Sequence, residues 1–141
     1  MRRWGVLVLL VAPLIMGATS QCHGTTQGAR HSDKVIAQAA RHAGFTGSKL
    51  TKAVAIALAE SDGIDENSRN PDGSIDRGVW QINSRYHHEV TNACAHDLNC
   101  AARATWRISS HGNDFSPWVT YGGSRYRGFL PRARAAARAV S

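Results

Sequence analysis

The segment 50–58 constrains this chain more than any other: Leu50, Ala53, Val54, Ile56, Ala57 and Leu58 leave so little polar surface that a helix here must be buried on nearly all sides. A chain that hides one helix this fully has to wrap others around it. Ser48 is placed to cap that helix, and Glu60 stands at its end, a carboxyl carried to the edge of an apolar core. Upstream, Ser32 can cap a first helix in which Val35, Ile36, Ala39, Ala40 and Ala43 recur on one side, with Gly44 placed to end it. Downstream, Ala101, Ala102, Thr105 and Ile108 give helical spacing over 98–108. Ser116 and Pro117 read as an N-cap followed by a first-turn proline, and an alanine- and arginine-rich helix is expected over 131–140.

Strand signal is scarce. Gly, Pro, Asn and Asp are dense over 62–73, which reads as turn, and a brief hairpin around residues 74–77 is the only persuasive β element. The pattern predicts a mainly helical α+β fold with one small β-hairpin element and a cleft between it and the helices. With 141 residues and no repeat, there is room for a single domain, placed at 31–141, and a hydrophobic share of 43% fits a folded globule.

The first 20 residues read as an export signal. Arg2 and Arg3 form a charged start, residues 4–16 are apolar but broken by Pro13, and Ala18, Thr19 and Ser20 supply small residues before a cleavage at Gln21. The apolar run is short for a membrane span, which needs about 20 residues. Residues 21–30 are rich in Gly, Thr and Gln without apolar periodicity and read as a linker. Removal of Arg2 and Arg3 lowers the formal charge from +7 to +5, so the exported chain stays basic. All ten acids lie between Asp33 and Asp114, while Arg125, Arg127, Arg132, Arg134 and Arg138 follow with no acid among them. Outside a cell, such a cationic end favours anionic cell-wall polymers by electrostatics; no nucleic-acid partner is expected, because no recognition module accompanies the charge.

Cysteine use agrees with export. Cys94 and Cys100 can close a short disulfide if the chain turns at His96 and Asp97. The competing reading, a zinc site from Cys94, His96, Cys100 and His88, matches no common ligand spacing, so no metal and no cofactor are expected. Cys22 is left over. It follows a poor lipidation signal, so simple secretion is the leading reading, with a lipid anchor at Cys22 as the alternative. His87 and His88 are adjacent, diverge in any regular element, and read as surface residues. Asp62, Asp65 and Glu66 lack an EF-hand pattern and read as solvated loop charge.

The candidate chemistry lies in Glu60 and Asp76. They flank the polar turn 70–74, one at the end of an apolar helix and the other in a polar setting with Asn70, Ser74 and Gln81 near in sequence. A helix C-terminus and apolar neighbours both disfavour ionisation, so Glu60 can keep its proton near neutrality and donate it, while Asp76 stays ionised. Two carboxylates in such unlike surroundings suit cleavage of a sugar bond. Arg77 stands next to Asp76 and is placed to pair with it.

Three strings extend this. NPDGSIDRGVWQINSR at 70–85 resembles the segment of animal-type (c-type) lysozymes that holds their second active-site carboxylate. AIALAES at 55–61 and SPWVTYGGSRYRGFL at 116–130 resemble phage and actinobacterial lysozyme-like and soluble lytic transglycosylase domains. The resemblance covers most of residues 31–140 and implies a lysozyme-like fold that acts on peptidoglycan glycan strands, at the β-1,4 bond between N-acetylmuramic acid and N-acetylglucosamine. It makes Glu60 the general acid and Asp76 the nucleophile or ion-pair stabiliser, and it brings Trp118 against Glu60. It also puts Asn70, Gln81 and Asn83 near the sugar, although Gln81 and Asn83 equally suit backbone bonding in a tight loop. Trp80 reads as core. Hydrolysis is the leading expectation; a lytic transglycosylase forming 1,6-anhydromuropeptides and a non-catalytic wall-binding module are the alternatives. A monomer, secreted or wall-associated, is expected.

Overall fold

The computed structural model describes residues 28–141; the export signal expected at 1–20, Cys22 and most of the expected linker lie outside the described residues. The chain forms α1 (Asp33–Ala43), α2 (Gly47–Ser61), β1 (Asn67–Arg69), β2 (Ile75–Arg77), β3 (Ile82–Asn83), α3 (Asn92–His96), α4 (Leu98–Ile108) and α5 (Val119–Gly122). A 3-10 turn (Arg125–Phe129) and α6 (Leu130–Arg138) complete it. This is a mainly helical α+β fold, as expected, with a three-stranded antiparallel sheet beside the helices.

The apolar segment is the central helix. Every residue of α2 from Ala53 to Ala59 is buried, and α2 packs against α1, α6 and the 3-10 turn. Its cap differs from expectation. Thr46 is the N-cap, without a side-chain bond, and Ser48 lies inside the first turn. Ser32 does cap α1, accepting from the Val35 amide, and Gly44 closes it with a φ of 119°. A Cβ on Gly44 would also press on the Trp106 ring at 3.0 Å, so a side chain is excluded there by conformation and by space. Val35 turns out exposed, while Ala37 takes a buried place beside Ile36, Ala39 and Ala40. α4 matches its expected bounds, with Asp97 as its cap. Ser116 does not cap α5; Trp118 holds that position, and the Ser116 amide instead donates to Asp114.

The sheet reaches further than the hairpin read from sequence. β1 lies inside the stretch 62–73 taken as turn, and β3 adds a third strand. Gly28 to Arg30, placed in the linker, also join the fold. The Gly28 amide donates to Asp65 O, the Asp65 amide donates to Ala29 O at 2.9 Å, and Arg30 bridges to Ile64.

Two charged residues behave differently from the solvated charge their composition suggests. Asp65 is buried and meets His96 Nδ1 at 2.6 Å, while His96 Nε2 lies 3.0 Å from Asn67 Oδ1. This contact ties the loop before β1 to α3. His96 is thereby occupied, and Cys94 and Cys100 are joined in a disulfide, so the competing zinc grouping does not form. His96→Leu would leave the Asp65 carboxylate buried without its partner, and we expect it to cost about 3–5 kcal/mol in urea unfolding. A loss below about 1 kcal/mol would mean the pair is incidental. Arg132 is the other case: it bonds Asp33 at 2.7 and 2.9 Å and Asp62 at 2.7 Å, clamping α6 to the start of α1 and the end of α2. Asp62 also pairs with Arg30 at 2.7 Å.

Candidate active site

Strand register builds one wall of the site. Asp76 on β2 lies opposite Asn83 on β3, so both side chains project from the same face. Asn83 Nδ2 donates to Asp76 Oδ1 at 2.8 Å, and Asn70 Nδ2 donates to Asp76 Oδ2 at 3.0 Å. Each carboxylate oxygen therefore has one amide donor. Ser74 Oγ accepts from both Asn70 and Asn83 and donates to Asp72, which fixes the two amides in turn. The Asn83 carbonyl oxygen accepts from the Arg85 and Tyr86 amides, settling its orientation.

Alternation along β2 sends the next side chain the other way. Arg77 is buried and donates to the carbonyls of Ile82, Val90 and His87, so it does not pair with Asp76 as its position in sequence suggested. Gly78 follows with a φ of 71°, and a Cβ there would collide with the Ala95 carbonyl. Only glycine lets the strand turn at this point.

The opposite wall is the last turn of α2 and the stretch before α5. Glu60 is half-buried there, and Thr120 Oγ1 donates to its Oε1 at 2.6 Å. Burial pushes the Glu60 carboxyl above the usual carboxylate range. The Thr120 hydroxyl opposes that rise, the negative Asp76 adds to it, and the Arg125 guanidinium opposes it. Trp118 is held by its indole N–H, which donates to Trp80 O at 2.8 Å. Trp80 is fully buried and donates in turn to Ala53 O in α2 at 3.1 Å, so it is core, as its sequence context indicated. One tryptophan thus anchors the other to the central helix.

Between these walls lies a cleft of about 490 Å³. It brings together Glu60, Asp76, Asn70, Gln81, Asn83 and Trp118, six residues spread over 59 positions of the chain. Gln81 sits at a φ of 48° and spends its amide N–H groups on the carbonyls of Glu66 and Gly78, so its first contribution is to hold the turn between β2 and β3. Sequence reasoning missed Thr120, Tyr86 and His87. Tyr86 and His87 line the cleft, and His87 is only half-exposed, in contrast to its expected surface placement; His88 is exposed as expected. Tyr86 is 73% exposed at the rim, and an aromatic directly after QINSR was the available signal for it. Among the described residues no group of His, Cys, Asp and Glu is arranged to hold a metal.

The family model for the lysozyme-like domain matches residues 37–120, a span that contains both walls of the cleft. The chain belongs to the lysozyme-like domain family. Lysozyme-like protein 6 of Bos taurus is 31% identical to it over 106 aligned positions, covering 55% of this chain and 72% of that protein. Membership associates this lysozyme-like domain with glycosidase or lytic transglycosylase-type chemistry related to peptidoglycan. No helix among its described residues is long and apolar enough to cross a membrane.

Proposed function

We propose that this lysozyme-like domain is an exported muramidase, hydrolysing the β-1,4 bond between N-acetylmuramic acid and N-acetylglucosamine in peptidoglycan. One observation carries the reading: a half-buried Glu60, whose carboxyl burial pushes above its ordinary value, faces across one cleft an Asp76 whose two oxygens are each held by an asparagine amide. Glu60 donates its proton to the departing glycosidic oxygen, and Asp76 stabilises the oxocarbenium ion or bonds to the anomeric carbon. The Glu60 carboxylate then takes a proton from the water that completes hydrolysis. Asn70 and Asn83 act by orienting Asp76. Trp118 and Gln81 shape the cleft around the sugar.

The test is mass analysis of fragments released from purified peptidoglycan. Reducing muramic ends are expected. Anhydromuramic ends would replace hydrolysis by the transglycosylase reaction, in which the muramic 6-hydroxyl attacks, and wall binding without any released fragment would make the domain a non-catalytic module.

Anionic wall polymers are the second proposed partner. Arg125, Arg127, Arg134 and Arg138 are exposed, whereas Arg132, counted among the free cations from sequence, is occupied by Asp33 and Asp62. Exposed charges act over a Debye length of about 8 Å at physiological salt. Adsorption to intact walls should therefore drop steeply between low and high salt, and salt-independent adsorption would remove the arginines from that role.

A further inference from the structure

The Glu60 carboxyl has a dedicated partner that the resemblance did not supply. Thr120 is 9% exposed and donates its hydroxyl to Glu60 Oε1 at 2.6 Å. Thr120 sits in α5, two residues beyond Trp118, whose indole is pinned to Trp80. The hydroxyl is therefore held by a rigid segment and delivered to one named oxygen.

We propose that Thr120 is a positioning residue for the acid: its hydroxyl keeps Oε1 an acceptor, so the transferable proton resides on Oε2, and it sets the alkaline pH at which cleavage fails. This rests on the reading of Glu60 as general acid. A carboxylic acid whose Oε1 already accepts a hydroxyl proton carries its own proton on the other oxygen, which fixes the donor atom without restricting the leaving group. The same bond strengthens when the carboxyl ionises, because the acceptor gains charge. It thus works against the burial that holds the proton in place.

The other charged or titratable groups around Glu60 act from further away. Asp72 and Asp76 lie across the cleft, Tyr86 and His87 lie toward its rim, and Arg125 projects from the 3-10 turn. Among the described residues, Thr120 is the side chain that hydrogen-bonds the Glu60 carboxyl. Removal of its hydroxyl therefore takes away the largest influence that opposes burial and the Asp76 charge.

Thr120→Val keeps the shape and removes the donor; Thr120→Ser keeps the donor. Two measurements on the intact protein separate the bond from its role. In a carbon-13 NMR titration of the glutamate side-chain carboxyls, Glu60 should lose its proton at higher pH in the valine variant than in the parent. The serine variant should return it toward the parent. On a soluble peptidoglycan fragment, the valine variant should lose about tenfold in kcat with KM within about twofold. Its alkaline limb should move upward, since the protonated acid persists to higher pH, and serine should restore both. A parent-like titration in the valine variant overturns the proposal, as does a lower kcat with an unmoved alkaline limb, which would mark Thr120 as packing alone. Failure of the underlying reading shows elsewhere, as residual cleavage by Glu60→Gln.

Discussion

Glu60→Gln should remove glycan cleavage, with a loss of at least about 10³-fold, while the folded protein is no less stable than the parent at neutral pH. The amide keeps the shape of the side chain and its place at the end of α2, but has no proton of suitable acidity to give a departing sugar oxygen. The stability half follows from the direction of the Glu60 shift. Burial raises the folded-state pKa above its unfolded value, so the folded protein binds the proton more tightly, and stability is lost as pH rises through that value. Glutamine carries no such charge and escapes the loss. Activity and melting temperature measured on one sample at pH 7 decide the matter. Near-normal turnover removes Glu60 from the reaction, and a large drop in melting temperature makes it a structural group.

Asp76→Asn is the second large effect and the one that discriminates between reaction types. A hydrolase that uses this carboxylate to stabilise or capture positive charge should lose on the order of 10²–10³ in kcat, with reducing ends still the product. The variant also places an amide against the Asn70 and Asn83 amides, which were turned to donate to a carboxylate. A compensating flip costs one of those bonds, so a loss of about 1 kcal/mol in stability should accompany the lost rate. A modest rate loss with anhydromuramic product would favour a reaction driven by Glu60 alone. Comparing the two variants on the same substrate shows whether the carboxylates act as a unit.

The price of the site is visible in the fold. A carboxyl is kept half-buried at the end of the most apolar helix among the described residues, and positions around it are committed to holding it and its partner. Trp118 is tied to Trp80 and Trp80 to α2, while Ser74 and the Arg85 and Tyr86 amides fix the asparagines that hold Asp76. The two walls come from segments far apart in sequence, yet neither depends on a long loop.

Features that local chemistry settles were legible in the residues alone. The apolar run in α2 demanded burial, Ser32 and Gly44 marked the ends of α1, and the spacing in α4 marked that helix to the residue. Glu60 at a helix end and Asp76 after a polar turn were readable because each lies beside its own structural signal. Tertiary structure decided the rest. β1 and β3 are three and two residues long and mostly polar, too short to show a period of two, so only their pairing defines them. That pairing turned Asp76 toward Asn83 and Arg77 into the interior, a choice of face that adjacency in sequence does not contain. Asp65 met His96 across 31 residues, Arg132 met Asp33 across 99, and Thr120 met Glu60 across 60. A polar side chain is drawn into a fold by a partner that desolvation makes necessary, and only the packed helices bring that partner within reach.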